Sequence, residues 1–91
     1  MEKVGNIKKK ELVALCKIIV HHNANISISE DELFESDAYL VECAEEYKQY
    51  TLVVNRHVQF TLFIFDDRVN IIYCKNGKTF RLGHLIKSDY K

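Results

Sequence analysis

The sequence predicts an α+β fold in which two N-terminal helical segments pack on a C-terminal four-stranded antiparallel β-meander. In the first half of the chain, apolar residues recur at three- and four-residue steps, which is typical of helices. In the second half they alternate with polar residues, and short turn signals separate the alternating runs. With 91 residues, three glycines and no proline, residues 1–91 are predicted to form a single domain around one core.

The first helix is predicted to begin at Asn6 or Ile7 and to end near His22. Its apolar residues share one face, as a helix packed on a core requires. Asn23, which tolerates left-handed backbone geometry, suits the exit from this helix. The residues of the apolar face are Leu12, Leu15, Cys16, Ile19 and Val20.

A second helical segment is predicted to begin near Ser29. Ser29 to Glu32 has the S-x-x-E form of a capping box, in which each residue satisfies a backbone N–H of the other. A break is expected at Ser36, itself a suitable N-cap, because Asp37 falls on the apolar stripe. Residues 26–28 alternate and could be either a short strand or a linker. The apolar stripe that predicts the helix comprises Leu33, Leu40, Ala44 and Tyr47.

Four strands are predicted near residues 51–55, 57–65, 69–75 and 78–82. β-branched and aromatic residues dominate this part of the chain. The last turn, Asn76-Gly77, is the pair that type I′ hairpins favour. Because consecutive turns are short, the strands should form an antiparallel meander.

The second predicted strand has large apolar residues on both of its faces. Phe60 and Leu62 point one way, towards the helices, whereas Phe63 and Phe65 point to the opposite side, called the far face. Leu85-Ile86, the other helix or a second protein molecule would have to cover those two rings. This apolar area is the main indication of function in the sequence.

The charges sum to zero but are strongly segregated along the chain. Residues 1–22 carry five lysines and two acids, residues 23–47 carry eight acids and no base, and residues 48–91 carry eight bases and three acids. Four acids of the predicted second helix should face water together and could dock a basic partner. The alternative is a solvated face neutralised by lysines elsewhere in the fold. These acids are Glu35, Glu42, Glu45 and Glu46.

Basic and aromatic residues of the sheet favour a second hypothesis, a small nucleic-acid-binding module. Aromatic rings on a sheet can stack bases while flanking cations hold phosphates. The zero net charge and the lack of an RNP-type signature weigh against this class. The basic residues concerned are Arg56, Lys75, Lys78 and Arg81.

No motif for catalysis, phosphate binding or metal binding occurs in the chain. His21-His22 suits the end of a helix. Cys16, Cys43 and Cys74 are odd in number and widely spaced, which favours free thiols and a reducing, cytoplasmic location. No apolar stretch is long enough to cross a bilayer. We therefore expect neither an enzyme, a cofactor, a metal site nor a membrane partner.

These observations predict a small non-enzymatic interaction protein, a regulator or inhibitor of the kind that phages and mobile elements encode. It would bind another protein, or a second copy of itself as a homodimer, through the acidic helix or the far face. A nucleic-acid-binding module is the alternative.

Overall fold

A computed structural model describes residues 1–23 and 25–86 of the chain. Within those residues the backbone forms two helices and six strands. In chain order they are β1 (Glu2–Lys3), α1 (Asn6–His21), α2 (Glu30–Phe34), β2 (Asp37–Cys43), β3 (Lys48–Val53), β4 (Val58–Ile64), β5 (Arg68–Lys75) and β6 (Lys78–Ile86).

The six strands form one antiparallel sheet in the order β1-β2-β3-β4-β5-β6, so every strand pairs with its neighbours in sequence. The register places Tyr50 opposite Leu62, and Leu62 opposite Ile71. Two shifts interrupt the register, one between Leu40 and Glu42 on β2 and one opposite Ile71 and Ile72 on β6. The edges of the sheet are β1, with two residues, and β6, with nine.

The prediction of four strands beneath two helical segments is wrong, because residues 1–23 and 25–86 form a sheet of six strands and a single long helix, α1. α1 has 16 residues, whereas α2 has five. Residues 37–43, which the helical stripe assigned to the second helix, form β2 between β1 and β3. Pairing with two neighbours satisfies the backbone groups of these residues and outweighs their helical spacing.

The first helix is confirmed, since α1 begins at Asn6 and ends one residue before the expected end. Leu12 and Cys16 are completely buried. The backbone N–H of His22 donates to the carbonyl of Val20, and the amide of Asn23 donates to the carbonyl of Ile19 at 2.6 Å. These bonds satisfy carbonyls that the helix end would leave without a partner.

The capping box of α2 is confirmed in both directions. The Ser29 hydroxyl accepts from the Glu32 N–H, and the Glu32 carboxylate accepts from the Ser29 N–H, each at 3.2 Å. The break expected at Ser36 is also present, since α2 ends at Phe34 and the Ser36 hydroxyl donates to the Leu33 carbonyl. Residues 26–28 form a linker rather than a strand.

One cluster of buried residues joins α1 and α2 to one face of the sheet. Leu52, Phe60 and Leu62 contribute completely buried side chains from neighbouring strands. Burying a side chain of this size stabilises a fold by about 1.5–3 kcal/mol. Because α1 covers this face, the far face is left for other contacts.

The turn between β5 and β6 has positive φ angles at both central residues, 52° at Asn76 and 80° at Gly77. This conformation is the type I′ turn that the sequence predicts. The N–H of Asn76 donates to the carbonyl of His57 at 2.9 Å, which ties this turn to the turn between β3 and β4. In residues 1–23 and 25–86, no helix has the length and hydropathy needed to span a bilayer.

Candidate functional site

The far face carries a continuous surface of polar and apolar side chains across the middle of the sheet. Thr51, Thr61 and Ile72 lie side by side in register on β3, β4 and β5. Thr51 is buried, and Thr61 and Ile72 are half-buried. Towards one end of the sheet, Phe63 occupies the next far-face position, between Gln49 and Asn70.

Three rings meet at this end and form an aromatic cluster of Tyr47, Phe63 and Phe65. The ring centroid of Tyr47 lies 5.6 Å from that of Phe63 and 5.4 Å from that of Phe65. These distances are typical of attractive aromatic pairs. The guanidinium of Arg68 lies over the Phe65 ring at 3.9 Å, so the outer ring of the cluster already has a cation on it.

Two tight turns position the aromatic cluster. Ala44 donates its N–H to the carbonyl of Tyr47 at 2.9 Å, and this bond closes the turn between β2 and β3. Phe65 donates its N–H to the carbonyl of Arg68 at 2.9 Å and closes the turn between β4 and β5. Both turns lie at the same end of the antiparallel sheet, so their aromatic residues become neighbours.

A groove of about 450 Å³ extends from the aromatic cluster across β5 to β6. Its far wall contains Arg81 and His84, three positions apart in sequence. Residues at that spacing on a regular strand point to opposite faces. Here Leu82 is an extra residue in the register, so Arg81 pairs with Ile72 and His84 pairs with Asn70, both far-face positions.

The register shift therefore creates a basic wall for the groove. Gly83, with φ of 102°, supplies the backbone conformation that follows the extra residue. Arg81 and His84 are exposed. The groove thus has an aromatic wall on one side and a cationic or hydrogen-bonding wall on the other.

An acidic group adjoins the aromatic wall. The hydroxyl of Tyr47 donates to the carboxylate of Glu42 at 3.4 Å. The charge of Glu42, with partial desolvation and this hydrogen bond, raises the pKa of the Tyr47 phenol. Glu42 therefore keeps the phenol neutral over a wider pH range.

The acidic residues predicted to share a helix face do not do so. Glu42 is on β2 and Glu45 and Glu46 are in the following turn, whereas Glu35 precedes the opposite end of that strand. The seven residues of β2 span about 20 Å, so Glu35 lies far from the other three. The acidic helix is thus an incorrect prediction, and only Glu42 contacts the aromatic cluster.

The predicted basic residues also divide into two places. Arg56, Lys75 and Lys78 lie at the end of the sheet where the β3–β4 and β5–β6 turns meet. Arg81 lies instead in the wall of the groove. The two ends of the sheet differ in net charge. Near one end lie five acids, Glu42, Glu45, Glu46, Asp66 and Asp67, with Lys48 and Arg68, and at the other end lie the three basic residues with Asp37.

Tyr47, Asn70 and His84 are groove residues that sequence reasoning missed. Tyr47 fits the helical apolar stripe, so its place beside Phe63 has no signal in the local pattern. His84 lies beyond the predicted end of the last strand, but extending the alternation through Leu85 would have included it. Its face depends on the register shift, which no local pattern specifies.

The cysteines and histidines do not converge on a reactive site in the described part of the chain. Cys16 is buried, and burial raises the pKa of its thiol. Cys43 is exposed on β2. Among residues 1–23 and 25–86, no three His, Cys, Asp or Glu side chains are placed to hold a metal ion.

Comparisons of the chain with protein-family models, with curated proteins and with solved structures find no match. Function is therefore inferred from the groove and from the residues that flank it.

Proposed function

We propose that this chain is a small non-enzymatic interaction protein that binds another protein through the groove on its far face. The observation that carries the proposal is the aromatic cluster, whose rings remain half-buried on the face that α1 does not cover. Aromatic residues and arginine supply much of the binding energy in protein interfaces, where a polar rim surrounds them. We propose that it acts on this partner as a regulator or inhibitor.

The surroundings of the aromatic cluster favour a protein partner over nucleic acid. The carboxylate of Glu42 is hydrogen-bonded to Tyr47 and would repel a phosphate backbone. Arg68 already lies over the Phe65 ring, which hinders the stacking of a base on its outer side. Of the four predicted nucleic-acid-binding residues, Arg81 lies beside these rings, whereas Arg56, Lys75 and Lys78 lie at the opposite end of the sheet. A nucleic-acid site of the predicted kind would need most of its cations beside the rings.

The groove has the composition and size of a site for a few side chains. Phe63 and Phe65 provide apolar contact area, while Asn70, Arg81 and His84 provide hydrogen bonds. A volume of about 450 Å³ accommodates two or three side chains of a partner segment. We further propose a cytoplasmic location, with which three free cysteines are compatible.

Affinity capture from nuclease-treated lysate of the source cells tests the proposal. The tagged wild-type chain should retain a discrete protein that the Phe63→Ser variant loses. Arg81→Ala, which changes an exposed residue of the other wall, should weaken retention without changing the unfolding transition. Phe34→Ser is the matched control, because Phe34 is 53% exposed and lies on α2, outside the groove.

Two results would contradict the proposal. One is retention of the same proteins by wild type, Phe63→Ser and Arg81→Ala. The other is retention of nucleic acid in untreated lysate with loss of every protein after nuclease treatment. Chemical denaturation of each variant shows whether a loss of binding reflects a loss of folding.

A further inference from the structure

The last strand, β6, is a long open edge of the sheet. Its nine residues pair with β5, and no other strand of residues 1–23 and 25–86 adjoins it. Alternate residues of an edge strand direct backbone N–H and C=O groups away from the sheet. An extended segment of another chain can pair with such groups and add a strand.

The charged side chains of β6 are all basic, and this favours some added strands over others. Lys78, Arg81 and His84 are exposed, and this strand has no acidic residue. Neither Lys78 nor Arg81 forms an ion pair within the described residues. Charged residues on an edge discourage pairing with most strands, but they favour a strand that carries acids at facing positions.

The open edge and the groove adjoin each other. Arg81, Gly83 and His84 belong to β6 and also line the groove. A strand added to β6 would lie about 4.8 Å away and would place alternate side chains on the far face. Those side chains would therefore reach the rim of the groove beside Arg81 and His84.

We infer that the partner contributes an acidic, extended segment that pairs with β6 and places apolar side chains in the groove. This inference rests on the proposed function. The backbone of β6 supplies hydrogen bonds, and the aromatic cluster supplies apolar contact. Arg81 and Lys78 attract the acidic side chains and set the charge preference. Because of the register shift at Leu82, Arg81 and His84 both occupy far-face positions, on the side where the bound segment places its apolar side chains.

A second copy of this chain is a poorer occupant. Antiparallel pairing of β6 with another β6 would bring two strands together that carry bases and no acid. On the acidic strand β2, β1 pairs with Tyr39 and Leu40 and Val4 donates to the Ala38 carbonyl, so the longest open stretch of this edge is residues 41–43. A register shift between Leu40 and Glu42 further blunts that edge.

A displayed library of random peptides, long enough to span β6 and selected against the full chain, tests the inference. Selected peptides should be enriched in Asp and Glu and should also carry apolar residues. The double variant Lys78→Glu, Arg81→Glu should bind the selected peptides more weakly than wild type by about tenfold or more. Arg56→Glu with Lys10→Glu is the matched control, because it makes the same charge change at exposed residues outside β6 and should leave affinity unchanged.

Amide hydrogen exchange of the complex with a selected peptide measures the strand pairing directly. Outward-facing amides of β6 should exchange more slowly when the peptide is bound, while amides of α1 should be unaffected. Selected peptides without acidic enrichment, or unchanged exchange in β6, would overturn the inference. Chain dimers that form through β6 and exclude the peptide would also overturn it.

The variants separate failure of the inference from failure of the proposed function. Peptides that lose affinity for Phe63→Ser but leave the amide exchange of β6 unchanged would keep the groove as the binding site and reject the added strand. Peptides that bind all of these variants equally, or no enrichment over an unrelated bait, would reject both proposals.

Discussion

The hydroxyl of Tyr47 donates to the carboxylate of Glu42 at 3.4 Å, and this contact links the turn after β2 to the strand itself. The Tyr47 ring also contacts both Phe63 and Phe65. The Glu42 carboxylate raises the pKa of the Tyr47 phenol. One acidic residue thus contacts the aromatic wall and influences its protonation.

Replacing Glu42 with Gln should lower the pKa of Tyr47. The substitution removes the negative charge, which is the largest cause of the raised value. Titration of ¹³C-labelled tyrosine by NMR measures the shift for each of the five tyrosines. Glu35→Gln, at the far end of β2, is the control and should leave the Tyr47 titration unchanged. Identical Tyr47 curves for wild type and Glu42→Gln would contradict the assigned contact.

Replacing Phe60 with Ala should cost about 3–5 kcal/mol of unfolding free energy, because Phe60 is completely buried at the centre of the sheet. The matched substitution Phe34→Ala should cost less than about 1 kcal/mol, since half of that side chain is already exposed. Urea denaturation measures both values. Equal losses would mean that Phe60 does not lie in the core.

Replacing Gly77 with Ala should destabilise the β5–β6 hairpin by about 1–2 kcal/mol, because the turn requires φ of 80° at that position. Asn76→Gly is the informative comparison. The φ of 52° at Asn76 suits glycine, so Asn76→Gly should change the unfolding free energy by only a few tenths of a kcal/mol. Thermal unfolding of the two variants provides the test, and a neutral Gly77→Ala would contradict the type I′ turn.

The buried thiol of Cys16 should make stability fall at alkaline pH. Burial raises the pKa of this thiol, so it stays protonated in the folded chain while the unfolded chain ionises above about pH 8.5. The unfolded state then binds fewer protons, and unfolding free energy decreases by up to about 1.4 kcal/mol per pH unit from this group.

Denaturation of wild type and Cys16→Ala between neutral and alkaline pH isolates that contribution. The stability advantage of the wild type should shrink as pH rises. Cys43→Ala, which removes an exposed thiol, is the matched control. A constant difference for Cys16→Ala would contradict its burial.

Local signals in the sequence predict α1, the capping box of α2 and the turn at Asn76-Gly77. Each of these features depends on residues that are close together in the sequence, so a local pattern is sufficient to predict it. The alternation of Phe60 and Leu62 with Phe63 likewise identifies which face of β4 belongs to the core.

The helical prediction for residues 37–43 failed because this segment carries two conflicting local signals. Tyr39 and Val41 suit a strand. The helical signal is the apolar stripe of Leu33, Leu40, Ala44 and Tyr47. Ala38 faces Leu52 of β3, and Glu2 and Lys3 of β1 pair on the other side. Two residues of β1 are too few to show a pattern of their own. Long-range pairing therefore decided a segment whose local signals conflicted.

The sequence by itself determined the long helix, the caps and turns, and the apolar face of the central strand, since these follow from the periodicity and conformational preferences of neighbouring residues. Only the tertiary structure decided that Glu42 lies beside Tyr47 and that Arg81 and His84 share one wall of a groove. Those relationships depend on strand register, and a single extra residue at Leu82 reverses which face the following side chains occupy.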